Sequence, residues 1–282
     1  LAQQLEVLGQ LPEAAQAYRQ VEALSRDVTK IARSLFRAAE LYADRIGQPA
    51  DAMELCRRII ATHPAEVAAE DAVRAMVRWR RDDDTLLPEL DQIAKTHAAH
   101  VPLASFAWLL SAQRCEDKGQ PADAVRRYDE LAKRYPKGPL LDDALVSAAK
   151  VLRSQKRYGE AAERLERLQR TYSSALLVGH YNLYLLAEGA LLLGQIYLDD
   201  MRQPARAIPA LLGFLKRQPT SRLADDALLL LAEAARRRHN PPTAADKTEA
   251  CRYLSQLYKQ YPDSNQRRRA DELQQALTCP AQ

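Results

Sequence analysis

Residues 193–219 read LGQIYLDDMRQPARAIPALLGFLKRQP. Within this stretch Ala207 is followed at plus four by Leu211, at plus seven by Phe214 and at plus twelve by Pro219. The plus-four and plus-seven spacing places apolar side chains on one face of a helix. Proline then stops that helix, because it lacks an amide hydrogen and restricts the residue before it. Just upstream, Leu193-Gly194-x-x-Tyr197 lies ahead of a Gln203-Pro204 turn, so a first helix precedes the proline-ended second one.

The same template recurs along the chain. Pro64, Pro136 and Pro262 are each preceded by the small residue Ala52, Ala124 or Ala250. The plus-four positions are Cys56, Tyr128 and Leu254, and the plus-seven positions Ile59, Leu131 and Leu257. Eight residues after each of the four prolines stands Ala72, Ala144, Ala227 or Ala270, and the first three directly follow Asp71, Asp143 and Asp226. Weaker copies are Ala14-Tyr18-Val21 and Ala161-Leu165-Leu168, the latter with Ser173 in place of proline. Ala38-Ala39-x-x-Tyr42 before Gln48-Pro49 keeps the Tyr197-to-Pro204 interval, so these two turns are expected to share one build.

Composition agrees. Hydrophobic residues make up 47% and charged residues 28%, with only 9 Gly, the vocabulary of a helix former. No alternating β-branched run is long enough to build a sheet. The predicted fold is therefore all-α, a right-handed superhelical solenoid of antiparallel helix pairs. It is expected to form a single array over residues 1–282 with about six to seven repeats, the first one truncated. Irregularities are expected at 82–98, 172–182 and 239–243, and a capping helix at about 265–278.

The pattern L-G-x-x-Y, then G-x-x-x-x-A, then Y-x-x-L and a closing proline resembles the tetratricopeptide repeat. The Tyr135-Pro136, Gln218-Pro219-Thr220-Ser221 and Tyr261-Pro262-Asp263-Ser264 turns are similar to a bacterial envelope subgroup. That subgroup includes the outer-membrane lipoprotein of the β-barrel assembly machinery and the periplasmic repeat protein coordinated with the Tol-Pal system. The resemblance implies a non-enzymatic scaffold that binds protein partners within a multi-protein complex, periplasmic or outer-membrane associated. A repeat module of a larger protein, or a cytoplasmic regulator binding a signalling peptide, is the alternative. The chain begins at Leu1, which leaves an upstream signal, lipid anchor or further domain open.

Carrying the repeat's first-helix positions across, the resemblance implies a binding groove lined by Glu40, Asp44, Arg74, Arg78, Phe106, Gln113, Glu116, Lys150, Arg153, Glu188, Gln195, Glu233 and Arg236. The clamp that one subfamily of tetratricopeptide proteins closes on chaperone C-termini needs asparagines alternating with basic residues. Asn182, Asn240 and Asn265 are the only asparagines, so that clamp is not expected.

Site chemistry is otherwise sparse. The Asp142-Asp143 and Asp225-Asp226 pairs invite a catalytic reading, but they recur at one register after a proline and so belong to the repeat. Asp82-Asp83-Asp84 is expected at an inter-helix turn rather than on a metal. No phosphate-loop, dinucleotide or zinc-protease motif occurs, and His63, His97, His100, His180 and His239 form no ligand cluster. No cofactor, metal or catalytic residue is assigned. A net charge of +4 from 41 basic and 37 acidic residues gives no case for nucleic acid. The clusters at Arg236–Arg238 and Arg267–Arg269 read as helix-end cations. The apolar run from Tyr181 to Leu198 is broken by Asn182, Glu188 and Gln195 and reads as a solenoid helix, not a membrane span. Cys56 and Cys115 fall on core positions. Cys251 and Cys279 lie at similar distances from the turn near 262–265, so antiparallel helices would bring them level, and a disulfide is expected there.

Overall fold

A computed structural model describes residues 1–174 and 182–280, among which there is no strand. The chain divides into two compact units, Leu1–Leu141 and Asp142–Gln282. The N-terminal unit holds α1 (Ala2–Val7), α2 (Leu11–Leu24), α3 (Val28–Leu41), α4 (Pro49–Thr62), α5 (Val67–Trp79), α6 (Leu86–Thr96), α7 (Val101–Asp117) and α8 (Pro121–Arg134). The C-terminal unit holds α9 (Leu141–Ser154), α10 (Tyr158–Ser174), α11 (Leu183–Gln195), α12 (Pro204–Arg217), α13 (Ala224–Arg236), α14 (Ala244–Gln260) and α15 (Arg267–Leu277). Odd-numbered helices are the first helices of the repeats and even-numbered ones the second. In the N-terminal unit each helix packs on the next in sequence, in the C-terminal unit each helix from α10 onward does so, and first helices also pack on one another: α3 on α5, α5 on α7, α11 on α13 and α13 on α15. This is an α-solenoid of antiparallel helix pairs.

The template positions explain why these helices assemble. Ala52, Ala124, Ala207, Ala250, Ala72, Ala144, Ala227 and Ala270 have no exposed surface, and the plus-four and plus-seven side chains are buried beside them. Small residues at these points let helix axes approach closely. At Gly194 the approach is close, since a Cβ there would stand 2.7 Å from Leu211 Cδ2. The helices that end before Pro64, Pro136, Pro219 and Pro262 stop two residues short of the proline.

The turns after α1, α3, α7, α9 and α11 follow one construction. A residue of positive φ ends the first helix, and the next amide reaches back over the last turn. After α7 the residue is Gly119 (φ 65°), with the Gln120 amide donating to the Cys115 carbonyl at 2.8 Å. After α9 it is Lys156 (φ 62°), with Arg157 donating to Leu152 at 2.9 Å. The turns after α3 and α11 contain one residue more, and both absorb it as a π-helical turn, Tyr42–Ile46 and Ile196–Asp200. Gln48 then donates to the Tyr42 carbonyl at 2.7 Å and Gln203 to that of Tyr197 at 2.6 Å. The shared interval in sequence is a shared build in space.

Second-to-first turns carry a different tie. The Tyr135 hydroxyl donates to the Ala98 carbonyl at 3.3 Å, and Tyr261 to that of Pro219 at 2.8 Å, so the tyrosine before each proline holds the preceding turn. The acidic pairs hold the following one. Asp142, almost fully buried, accepts the Asn182 amide at 2.9 Å, and Asp225 accepts the Ser264 hydroxyl at 2.6 Å. Charge near the helix start was the expectation, and the structure adds a bond from each pair to the start of the next first helix.

The irregular copy at 82–98 is α6, with Asp83 accepting the amide and hydroxyl of Thr85 in the turn before it. The 239–243 irregularity is a loop closed by a capping box between Thr243 and Asp246 at the start of α14. Of the 172–182 irregularity, residues 175–181 lie outside the described residues. Cys56 and Cys115 are buried thiols, and burial pushes that of Cys56 up to about 12. Cys251 and Cys279 are joined by a disulfide with Cα atoms 5.6 Å apart, which fastens the end of α15 to α14.

Candidate functional site

The first helices of the N-terminal unit present the most varied exposed chemistry. Asp44, in the π turn after α3, accepts the Arg78 guanidinium at 2.9 Å and the Trp79 indole N–H at 2.8 Å, both from the end of α5. One turn back on α5, Arg74 lies over the ring of Phe106 on α7, with Cζ 4.7 Å from the centroid. Phe106 itself is mostly buried, so Arg74 covers it from the solvent side. Glu40 pairs with Arg37 at 2.9 Å. Gln113 and Glu116 are exposed on α7, and Glu116 accepts the Tyr128 hydroxyl. Glu70 lies near the start of α5, and burial, reinforced by the neighbouring Asp71 charge, holds its carboxyl above the usual range.

In the C-terminal unit the assigned side chains are largely committed to one another. Lys150 of α9 pairs with Glu188 of α11 at 2.7 Å. Arg153 donates to Asp200 at 2.6 Å and to Gln195 at 3.2 Å. Glu233 of α13 pairs with Arg269 of α15 at 3.1 Å. Arg236 stands apart from this ladder. Its Nε is buried without a hydrogen-bond partner.

Tetratricopeptide repeat profiles match residues 33–65 and 226–264, and a second profile of the same description matches 98–175; together they span more than half the chain. The chain is a tetratricopeptide repeat protein. Such repeats imply a protein–protein interaction scaffold with protein partners. Its fold is similar to the C-terminal part of a tetratricopeptide repeat-containing protein from Cytophaga hutchinsonii. The TM-score is 0.56 at 12% identity, over 96% of this chain and 97% of that one. Weaker likenesses are to yeast Tom70 (TM-score 0.45, 14% identity, 95% of this chain and 52% of that one) and to PilW, described as a type IV pilus biogenesis factor (TM-score 0.45, 16% identity, 88% and 98%). No curated protein sequence matches the chain.

In this repeat protein the assigned residues do fall on first helices or the turns that end them, but sequence reasoning missed their partners. Asp199, Asp200, Trp79, Arg237 and Arg269 complete the contacts. A signal for them existed: opposite charges about one repeat apart. Arg78 and Asp44 are 34 residues apart, Arg269 and Glu233 36, and Arg237 and Asp199 38. Exposed pairs of this kind contribute little to stability individually. Among the described residues no group of His, Cys, Asp and Glu could hold a metal ion, and no helix is long and apolar enough to cross a membrane.

Proposed function

We propose that the chain is a scaffold subunit of a bacterial cell-envelope assembly, and that the first-helix face of its N-terminal unit grips a protein partner. The observation that carries the binding reading is the row from Asp44 through Arg78, Trp79 and Arg74 to Phe106 and Gln113 on three adjacent first helices. Aromatic and arginine side chains held in place by their neighbours lose little freedom on binding, which suits them to anchor a partner. The Cys251–Cys279 disulfide supports an oxidising compartment, as in the periplasm, and the Tyr-Pro turns support the envelope subgroup.

The test is recovery of partners from the native organism with wild-type bait, Arg74→Glu with Gln113→Glu, and the control Lys133→Glu on α8. Arg74 and Gln113 are preferable to Arg78 or Arg153, whose reversal would break the contacts with Asp44 and Asp200. Loss of specific partners with the double variant but not the control supports the reading. Undiminished recovery with both refutes it. Blocking free thiols in intact cells before lysis tests the compartment, since a periplasmic protein would carry Cys251 and Cys279 unlabelled.

A further inference from the structure

A concavity of about 340 Å³ opens in the C-terminal unit between two neighbouring turns, one joining α11 to α12 and the other joining α13 to α14. Arg202 lines it from the first turn, Arg236, Arg237 and His239 from the second, and Pro204 brings the first residue of α12 to its wall. Among the described residues no carboxylate lines it. The other end of the balance is nearby but already engaged. Asp199 accepts Arg237 at 2.7 Å, and Arg237 also donates to the Leu198 carbonyl at 3.1 Å. Asp246 takes His239 at 2.8 Å together with the Thr243 cap, and Glu249 takes Arg238 at 2.6 Å. Among the described residues Arg202 and Arg236 have no hydrogen-bond or ion-pair partner, and the Arg236 Nε is shielded from solvent without an acceptor.

Neighbouring turns of the N-terminal unit pair in the same way as Arg237 with Asp199: Lys118 with Asp84 and Arg78 with Asp44. Arg202 and Arg236 stand outside such a pair. An arginine donor withdrawn from water and left unpaired is costly, and an acceptor from outside the chain would offset that cost. Guanidinium groups carry rigid forks of N–H donors that match oxyanions, and the start of α12 adds the positive end of a fourteen-residue helix.

We propose that this pocket binds a phosphate-class oxyanion, with Arg202 and Arg236 as its two principal donors and the α12 N-terminus behind them. The site is distinct from the first-helix face of the N-terminal unit and does not depend on that reading. The same chemistry is offered by inorganic phosphate and by a phosphoryl group on a larger molecule.

The backbone supplies an unusually clean variant. Arg202 has φ 55°, a conformation that glycine adopts without strain, and Gly47 and Gly119 occupy the matching position in other turns. Arg202→Gly therefore removes the cation while easing the turn. Lys156→Gly makes the same backbone change one turn earlier, at φ 62°, without touching the pocket. Calorimetric titration with inorganic phosphate at constant ionic strength, then with phosphoserine against serine, reads the site. Saturable phosphate binding by wild type and Lys156→Gly, weakened about tenfold or more in Arg202→Gly and in Arg236→Gln, is the expected result. Phosphoserine binding with serine silent extends the ligand to phosphoryl groups on larger molecules, whereas binding of inorganic phosphate alone confines it to the free ion. Absence of saturable phosphate binding in wild type, or equal affinity in all four proteins, overturns the proposal.

Discussion

Reduction of the Cys251–Cys279 disulfide should release α15 while leaving the rest of the C-terminal unit folded. The helix is lightly held: of its side chains only Ala270 and Leu277 are buried. Its outer face is polar, so little apolar area opposes its departure. The bond closes a loop between residues 28 apart, and α14 occupies the first part of that loop. When α15 opens locally with α14 intact, the freed segment runs from the end of α14 to Cys279. Loop-closure entropy for a segment of that size is worth about 3 kcal/mol in the opened state. Since 1.4 kcal/mol is about a factor of ten, opening should become about a hundredfold more frequent without the bond. Amide exchange over residues 267–277, followed by mass spectrometry, reads this directly. Protection there should fall about a hundredfold in reductant and equally in Cys251→Ser with Cys279→Ser, with α13 unchanged. Cys56 and Cys115 are already free thiols, so reductant should act through this bond. Protection of α15 within a few-fold of the oxidised protein would refute the reasoning, since packing alone would then hold the helix.

Other perturbations test the packing. Arg127 is buried on α8, donating to Asp91 of α6 at 2.9 Å and to Ser111 of α7 at 2.8 Å; Asp91→Ala should cost about 3 kcal/mol in chemical denaturation, and Asp91→Leu with Arg127→Met should recover most of it. Gly194→Ala should destabilise by about 1–3 kcal/mol in the same assay despite alanine's better helix propensity, because its methyl would collide with Leu211. The Asp143 carboxyl is pushed up to about 6, first by burial and then by the Asp142 charge. Between its ordinary value of 3.8 and 6 the folded chain keeps a proton that the unfolded chain has lost, so this group makes stability fall as pH rises through that window. Asp143→Asn should flatten the decline and raise the melting temperature near pH 7, measured by calorimetry across pH 4 to about 7.5.

Much of this protein was legible in its sequence because repetition amplifies weak signals. One alanine or one proline says little, but Ala52, Ala124, Ala207 and Ala250 at a constant distance from four prolines define a helix face, and all four prove buried. The interval from Tyr42 to Pro49 and from Tyr197 to Pro204 likewise announced two equal turns, because backbone hydrogen bonding leaves few ways to leave a helix. The level placement of Cys251 and Cys279 followed from helix rise alone, and the structure joins them.

Side-chain pairing was decided only by tertiary structure. Which carboxylate meets Arg78, Arg153 or Arg237 depends on how far successive first helices slide past one another, and that offset is set by core packing rather than by local pattern. The same holds for the pocket between Arg202 and Arg236, side chains 34 residues apart that no motif connects. Periodicity determines which residues face inward, since burial depends only on which side of a helix a residue occupies. Contacts between long, flexible, charged side chains depend on distances of a few ångströms between separate helices, and those exist only once the helices have packed.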